Sequence, residues 1–150
     1  RKKRDNEIDG VNYYFTSPEE FERNIKAGNM LEYAEYSGNY YGTPKEPVDK
    51  MLSRGINVVL KIEVQGAGNI RRIYPDAVSV FIMPKSLEIL EQRLRLRSTD
   101  SQEAVLKRLK TAEEEIKRID EYDYLIINDE IEKACSDFES IIRAEQLKVR

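Results

Sequence analysis

The chain has no histidine and a single cysteine, Cys135, among its 150 residues. Without histidine there is no Ser-His or Cys-His nucleophile and base, and most zinc sites lose their commonest ligand. One thiol makes neither an internal disulfide nor a cysteine cluster for a metal. No apolar run approaches the ~20 residues of a membrane span, and no apolar segment follows Arg1-Lys2-Lys3-Arg4 to turn it into a signal peptide. The formal net charge is −3, so no global positive field recruits nucleic acid or an anionic membrane. Also missing is any G-x-x-x-x-G-K-[S/T] phosphate loop. Lys85-Ser86 lacks the preceding glycine, and Gly66-Ala67-Gly68 reads as a tight turn between an apolar run and a helical pattern. A cytoplasmic location is the expectation consistent with these absences.

What is present describes a globular domain with a core, 40% hydrophobic and 35% charged. Ser17-Pro18-Glu19-Glu20 is a helix-start signal, with Phe21 and Ile25 facing inward and a stop at Gly28. Thr43-Pro44-Lys45-Glu46 repeats it before Val48, Met51 and Leu52, with a stop at Gly55. Residues 56–64 read as a buried strand, Val58, Leu60, Ile62 and Val64 on one face. A helix follows from Gln65 to before Pro75, then a strand over 77–83. Next come a helix through Leu87, Leu90 and Leu94, and a break at Ser98-Thr99-Asp100-Ser101. A long helix through Val105, Leu109 and Ile116 follows, then a strand over 124–127. Ile131, Ala134, Phe138, Ile141 and Leu147 mark a C-terminal helix. Strands separated by helices predict an α/β parallel sheet.

The densest chemistry lies in 31–44. Four of the nine tyrosines, two carboxylates (Glu32 and Glu35) and a hydroxyl fall in a segment that alternates by two and closes on Gly42-Thr43-Pro44. This pattern predicts a hairpin. Rigid tyrosines and glutamates make a poor core strand and a good binding surface. Upstream, Arg1 and Arg4 stand close to Asp9-Gly10-Val11-Asn12-Tyr13-Tyr14-Phe15.

The runs R-K-K-R-D-N-E-I-D-G-V-N-Y-Y-F and L-E-Y-A-E-Y-S-G-N-Y-Y-G-T resemble the GMP-binding region of guanylate kinases. L-K-I-E-V-Q-G resembles the strand and turn after that module, R-L-R-L-R-S-T the start of the lid, and Y-D-Y-L-I-I-N-D-E the last core strand. The resemblance runs from end to end. It implies a P-loop kinase-like parallel sheet core, incomplete because its first strands are missing. A small β-rich GMP-binding module is inserted over residues 1–44, and a helical lid lies at 86–118. Core segments would occupy 45–85 and 119–150. The family's phosphate-binding loop, G-x-x-G-x-G-K, would lie upstream of Arg1, and the abrupt opening on four basic residues reads as a fragment of a longer protein.

By this resemblance Arg1, Arg4, Tyr13 and Tyr41 hold the GMP phosphate, a task suited to forked guanidinium donors and phenolic hydroxyls. A charged frayed terminus and an aromatic cross-strand pair are the structural alternatives. Glu32 is the specificity residue: a carboxylate accepts from N1 and the 2-amino group of guanine, whereas adenine offers an acceptor at N1 and no 2-amino group. Glu35 is expected to be solvated or paired with a lysine, and Tyr40 to stabilise the hairpin. Thr43 matches a base-contacting hydroxyl and is equally an N-cap for the next helix. Glu63 matches an acid lining the cleft between the nucleotide sites, while Lys61 stands where the family usually has an acid. Arg93, Arg97 and Arg108 match lid arginines that neutralise the transferred phosphoryl group, with Ser98 in place of a common glycine and Arg95 as an ordinary surface charge. Asn128 matches a residue near the ATP base, or caps the next helix.

The implied reaction is phosphoryl transfer from Mg-ATP to GMP, giving ADP and GDP, with the loop-less chain inactive alone. The resemblance leaves open a scaffold domain binding phosphopeptides and a GMP-binding module without catalysis. The loss of a central strand between 56–64 and 77–83 would expose sheet edges and favour self-association through the gap.

Overall fold

The computed structural model describes residues 1–36, 38–96 and 101–149. Arg97 and Ser98 therefore lie outside the described residues, as do Ser37, Thr99, Asp100 and Arg150. The chain divides into two compact units, Arg1–Ala77 and Val78–Arg150.

In the first unit, residues 1–16 form an irregular segment stitched by local hydrogen bonds. Asp9 Oδ1 accepts from the Phe15 N–H at 2.8 Å and Asn12 Oδ1 from the Ile8 N–H at 2.8 Å. Helix α1 (Pro18–Lys26) starts as expected: Ser17 Oγ accepts from the Glu20 N–H at 3.2 Å, with proline in the first turn. Its buried Phe21 stacks on Tyr40 at 5.3 Å, which braces the helix against the hairpin. Strands β1 (Met30–Tyr36) and β2 (Asn39–Pro44) pair antiparallel, and Gly38 in their connection takes φ 73°, where a side chain would be strained. Glu32 lies opposite Thr43 and Met30 opposite Pro44, so Leu31 is an extra residue, a β-bulge. The bulge lets two consecutive side chains, Leu31 and Glu32, both be buried.

Helices α2 (Lys45–Leu52) and α3 (Val64–Ile73) complete this unit, and Leu31, Val48 and Ile70 form its buried core. Met51 and Leu52 are 47% and 43% exposed, because a two-turn helix turns only Val48 to the core. Residues 56–63 are not a strand. The expected alternation is present, with Val58, Leu60 and Ile62 packed on the core and Val59 exposed. A strand, however, is defined by a ladder, and this run pairs with no strand among the described residues.

In the second unit, β3 (Val80–Met83) and β4 (Tyr124–Ile127) pair parallel in register, Val80 opposite Tyr124 through Met83 opposite Ile127. The strand expected over 77–83 is shorter, since Asp123 captures the chain before it: its Oδ2 accepts from the Ser79 N–H at 2.8 Å and Oγ at 2.7 Å. Helices α4 (Leu87–Leu96) and α5 (Gln102–Ile116) pack on each other, and α6 (Ile131–Leu147) packs on β4. Among the described residues Phe81, Leu94, Val105 and Ile126 are the buried ones here, each worth roughly 1.5–3 kcal/mol. Ile131 and Leu147 of α6 are largely exposed instead, near the two ends of that helix. The parallel pairing and interleaved helices are those of an α/β fold. Among the described residues no helix is long and apolar enough to cross a membrane.

Candidate functional site

Among the described residues Glu32 is the one charged side chain that is buried, 6% exposed. Its strand is locked by the ladder to β2, its neighbour Leu31 is fixed in the core, and its Oε1 accepts the Thr43 hydroxyl at 2.6 Å. Burial pushes the Glu32 carboxyl above the usual carboxylate range, and the charge of Glu63 adds to this, while the hydrogen bonds from Thr43 oppose it. The carboxylate is thus desolvated, held, and short of a full complement of donors. A ligand bearing two adjacent N–H groups would complete it.

Thr43 does not cap α2. Pro44 is the N-cap of α2 and makes no side-chain cap bond, so the Thr43 hydroxyl is committed to Glu32 instead. Glu63 is exposed, sits at the start of α3 in an extended conformation, and acts on Glu32 through its charge. Lys61 is exposed. Glu35, opposite Tyr40, is exposed as expected.

A second cluster forms on the same hairpin. Tyr41 lies two residues before Thr43 and therefore on the same face of β2. Its ring meets that of Tyr13 edge-on at 6.4 Å, and the Arg1 guanidinium lies over Tyr13 at 5.1 Å and Phe15 at 5.8 Å. Arg1 is not a frayed terminus. It forms a bidentate pair with Glu7 at 2.7 and 2.5 Å, with only 18% and 11% of the two side chains exposed. The pair holds the Glu7 carboxyl down to about 2 and raises Arg1. Arg4 is exposed; its backbone N–H donates to Glu7 at 2.8 Å and its charge adds to the pull on that carboxylate. Arg1, Tyr13 and Tyr41 are brought together, with Arg4 at the margin.

The second unit holds the other candidates. Arg93 donates to the carbonyls of Asn128 at 2.7 Å and Asp129 at 3.2 Å. It lines, with Asn128, Leu90, Leu94 and Met83, a hollow of about 170 Å³. Asn128 does not cap α6, whose N-cap is Glu130. Arg108 is half-buried on α5. Arg95 pairs with Glu91 one turn back, as a surface charge should. Arg97 lies outside the described residues.

Two residues of the site went unread in the sequence. Glu7 orients Arg1, and its only signal is an acid three residues beyond Arg4. Gly66, read as part of a turn, stands in α3 against the Glu32 carboxylate.

Comparison with known proteins bears on the whole chain. The guanylate kinase family model matches residues 1–145. The guanylate kinase of Carboxydothermus hydrogenoformans is 51% identical over 148 residues, covering 99% of this chain and 72% of that protein. That of Streptococcus thermophilus is 50% identical over 149 residues, covering 99% and 71%. The crystal structure of guanylate kinase from Anaplasma phagocytophilum superposes with a TM-score of 0.83 at 37% identity, covering 99% of this chain and 73% of that one. The fold, the tyrosine-rich hairpin and the extent of these matches agree: the chain belongs to the guanylate kinase family.

Proposed function

We propose that this chain serves the transfer of the γ-phosphoryl group of ATP to GMP, giving ADP and GDP, and that it supplies the GMP site and the lid. Family membership supports the reaction. The observation that carries the GMP site is the buried, Thr43-held carboxylate of Glu32. Guanine presents N1–H and the 2-amino group side by side, and Glu32 accepts both; adenine leaves the buried carboxylate facing a lone pair. Thr43 fixes the carboxylate and contacts the base, and Glu63 lines the site. Arg1, steered by Glu7, takes the GMP phosphate together with Arg4, Tyr13 and Tyr41.

In the second unit Arg93, Arg97 and Arg108 stabilise charge on the transferred group, and Asn128 lies by the ATP base. Catalysis of this kind is positioning plus charge stabilisation, with no protein nucleophile. Magnesium accompanies ATP. Among the described residues no group of three or more His, Cys, Asp or Glu side chains is arranged to hold a metal, so we assign no residue of this chain to the ion and derive no step through it.

The scaffold alternative would use the same arginine and tyrosines on a phosphorylated peptide but has no use for a buried Glu32. Titration of the chain with GMP, AMP and a phosphoserine peptide decides between them. Binding of GMP well above AMP supports the assignment, and a preference for the peptide defeats it.

A further inference from the structure

Gly66 lies in the first turn of α3 without the usual backbone reason for a glycine, since its φ is not in the left-handed region. Within a helix, glycine in place of alanine costs about 0.5–1 kcal/mol. Gly66 differs from Gly68, two residues along the same helix, in what surrounds it. A Cβ at position 68 would meet nothing within 4 Å, whereas one at position 66 would lie 2.6 Å from Glu32 Oε2, 3.2 Å from Cδ and 3.3 Å from Cγ. The first distance is well inside van der Waals contact. The end of a long side chain normally swings away from such a contact. Glu32 has little freedom to do so, because Oε1 is tied to Thr43 at 2.6 Å and the residue's backbone is fixed between the core and the hairpin ladder.

We propose that Gly66 is a positioning residue for base selection: the missing side chain sets the depth and plane of the Glu32 carboxylate, and through it the purine edge that is accepted. The inference rests on Glu32 as the guanine acceptor. A methyl group at position 66 displaces Oε2 or the first turn of α3. A two-point contact to N1–H and the 2-amino group tolerates neither, while the phosphate contacts of Arg1 and Tyr13 involve other elements.

The test is calorimetric titration of GMP, AMP and IMP (a purine without the 2-amino group) into the wild-type chain, Gly66→Ala, Gly68→Ala, and Gly66→Ala combined with Glu32→Asp. We expect Gly66→Ala to lose about tenfold or more of the preference for GMP over AMP and over IMP, as for one hydrogen bond to a charged acceptor. Gly68→Ala keeps the preference. The shorter carboxylate of the double variant relieves the crowding and recovers part of it.

Thermal denaturation is read alongside. Gly66→Ala should melt lower than wild type although alanine favours helix, and adding Glu32→Ala should restore the loss. A wild-type chain with no preference for GMP overturns the Glu32 assignment itself. A wild-type preference carried unchanged into Gly66→Ala overturns this inference alone. If Gly66→Ala does not fold, the double variants decide: a folding defect that persists after Glu32 is shortened or removed refutes the role of Gly66.

Discussion

Replacing Glu32 by glutamine separates recognition from stability. The change keeps the shape and keeps Oε1 as an acceptor for the Thr43 hydroxyl at 2.6 Å. It removes the charge and turns one acceptor into a donor that opposes a guanine N–H. Hydrogen bonds to a charged group contribute about 1.5–3 kcal/mol, so GMP binding should weaken by roughly ten- to a hundredfold. AMP binding should change little or improve.

Stability should move the other way. The folded-state pKa of Glu32 is raised by burial, so below the unfolded pKa the neutral form favours folding, and that advantage is lost as pH rises through the folded pKa. At neutral pH the ionised carboxylate therefore opposes folding, and the glutamine variant should be as stable as wild type or more so. The same titration predicts that wild-type GMP affinity falls on acidification at a pH above the ordinary carboxylate range, while the variant shows no such fall. Calorimetry for GMP and AMP across pH, with denaturant melts, measures all of this. Unchanged GMP affinity, or a destabilisation of more than about 2 kcal/mol, larger than the loss of a neutral surface contact would give, would refute the reasoning.

Glu7 has a depressed pKa, so its contribution is present above its ordinary value of 4.5 and lost as pH falls towards about 2. Acid denaturation should therefore be steeper in wild type than in Glu7→Gln across that window, and the variant should bind GMP more weakly because Arg1 loses its brace; identical acid profiles would discount the pair. The 150-residue polypeptide assayed by itself should not phosphorylate GMP, because it contains no glycine-rich loop whose backbone amides and lysine could hold the ATP phosphates; ADP release well above background would contradict this. Among the described residues the sheet of β3 and β4 has two strands and leaves Ile82, Leu125 and Ile127 at 57%, 46% and 38% exposure, and unpaired edges recruit further strands. Light scattering at high concentration should find dimers or larger species, and a monomer throughout would count against that expectation.

The elements legible in the sequence were those set by local chemistry. Ser17 caps its helix through its hydroxyl, and the alternation in 31–44 is a hairpin. Residues 56–63 show the limit of such reasoning. Alternation reports which side faces a core, and there it does, yet strand formation depends on a partner that local pattern does not encode. Thr43 failed as a cap for a similar reason: two acceptable partners competed for one hydroxyl, and the geometry of the bulged hairpin decided for Glu32. Gly66 was illegible because its meaning lies in a carboxylate 34 positions earlier, brought close only by packing of α3 on β1. The candidate site followed from motif resemblance, but the bracing of Arg1 by Glu7 did not, since ion pairing in an irregular segment has no periodic signature.

The extra residue at Leu31 bears on the fidelity of folding. Because a core leucine and the buried carboxylate of Glu32 are adjacent in sequence, a hairpin slipped by one position would exchange them. The carboxylate would then face Val48 and Ile70 without the Thr43 hydroxyl, while Leu31 would lie beside it. Burying an unpartnered charge among aliphatic side chains is prohibitive, so the carboxylate of Glu32 proofreads the pairing of β1 and β2.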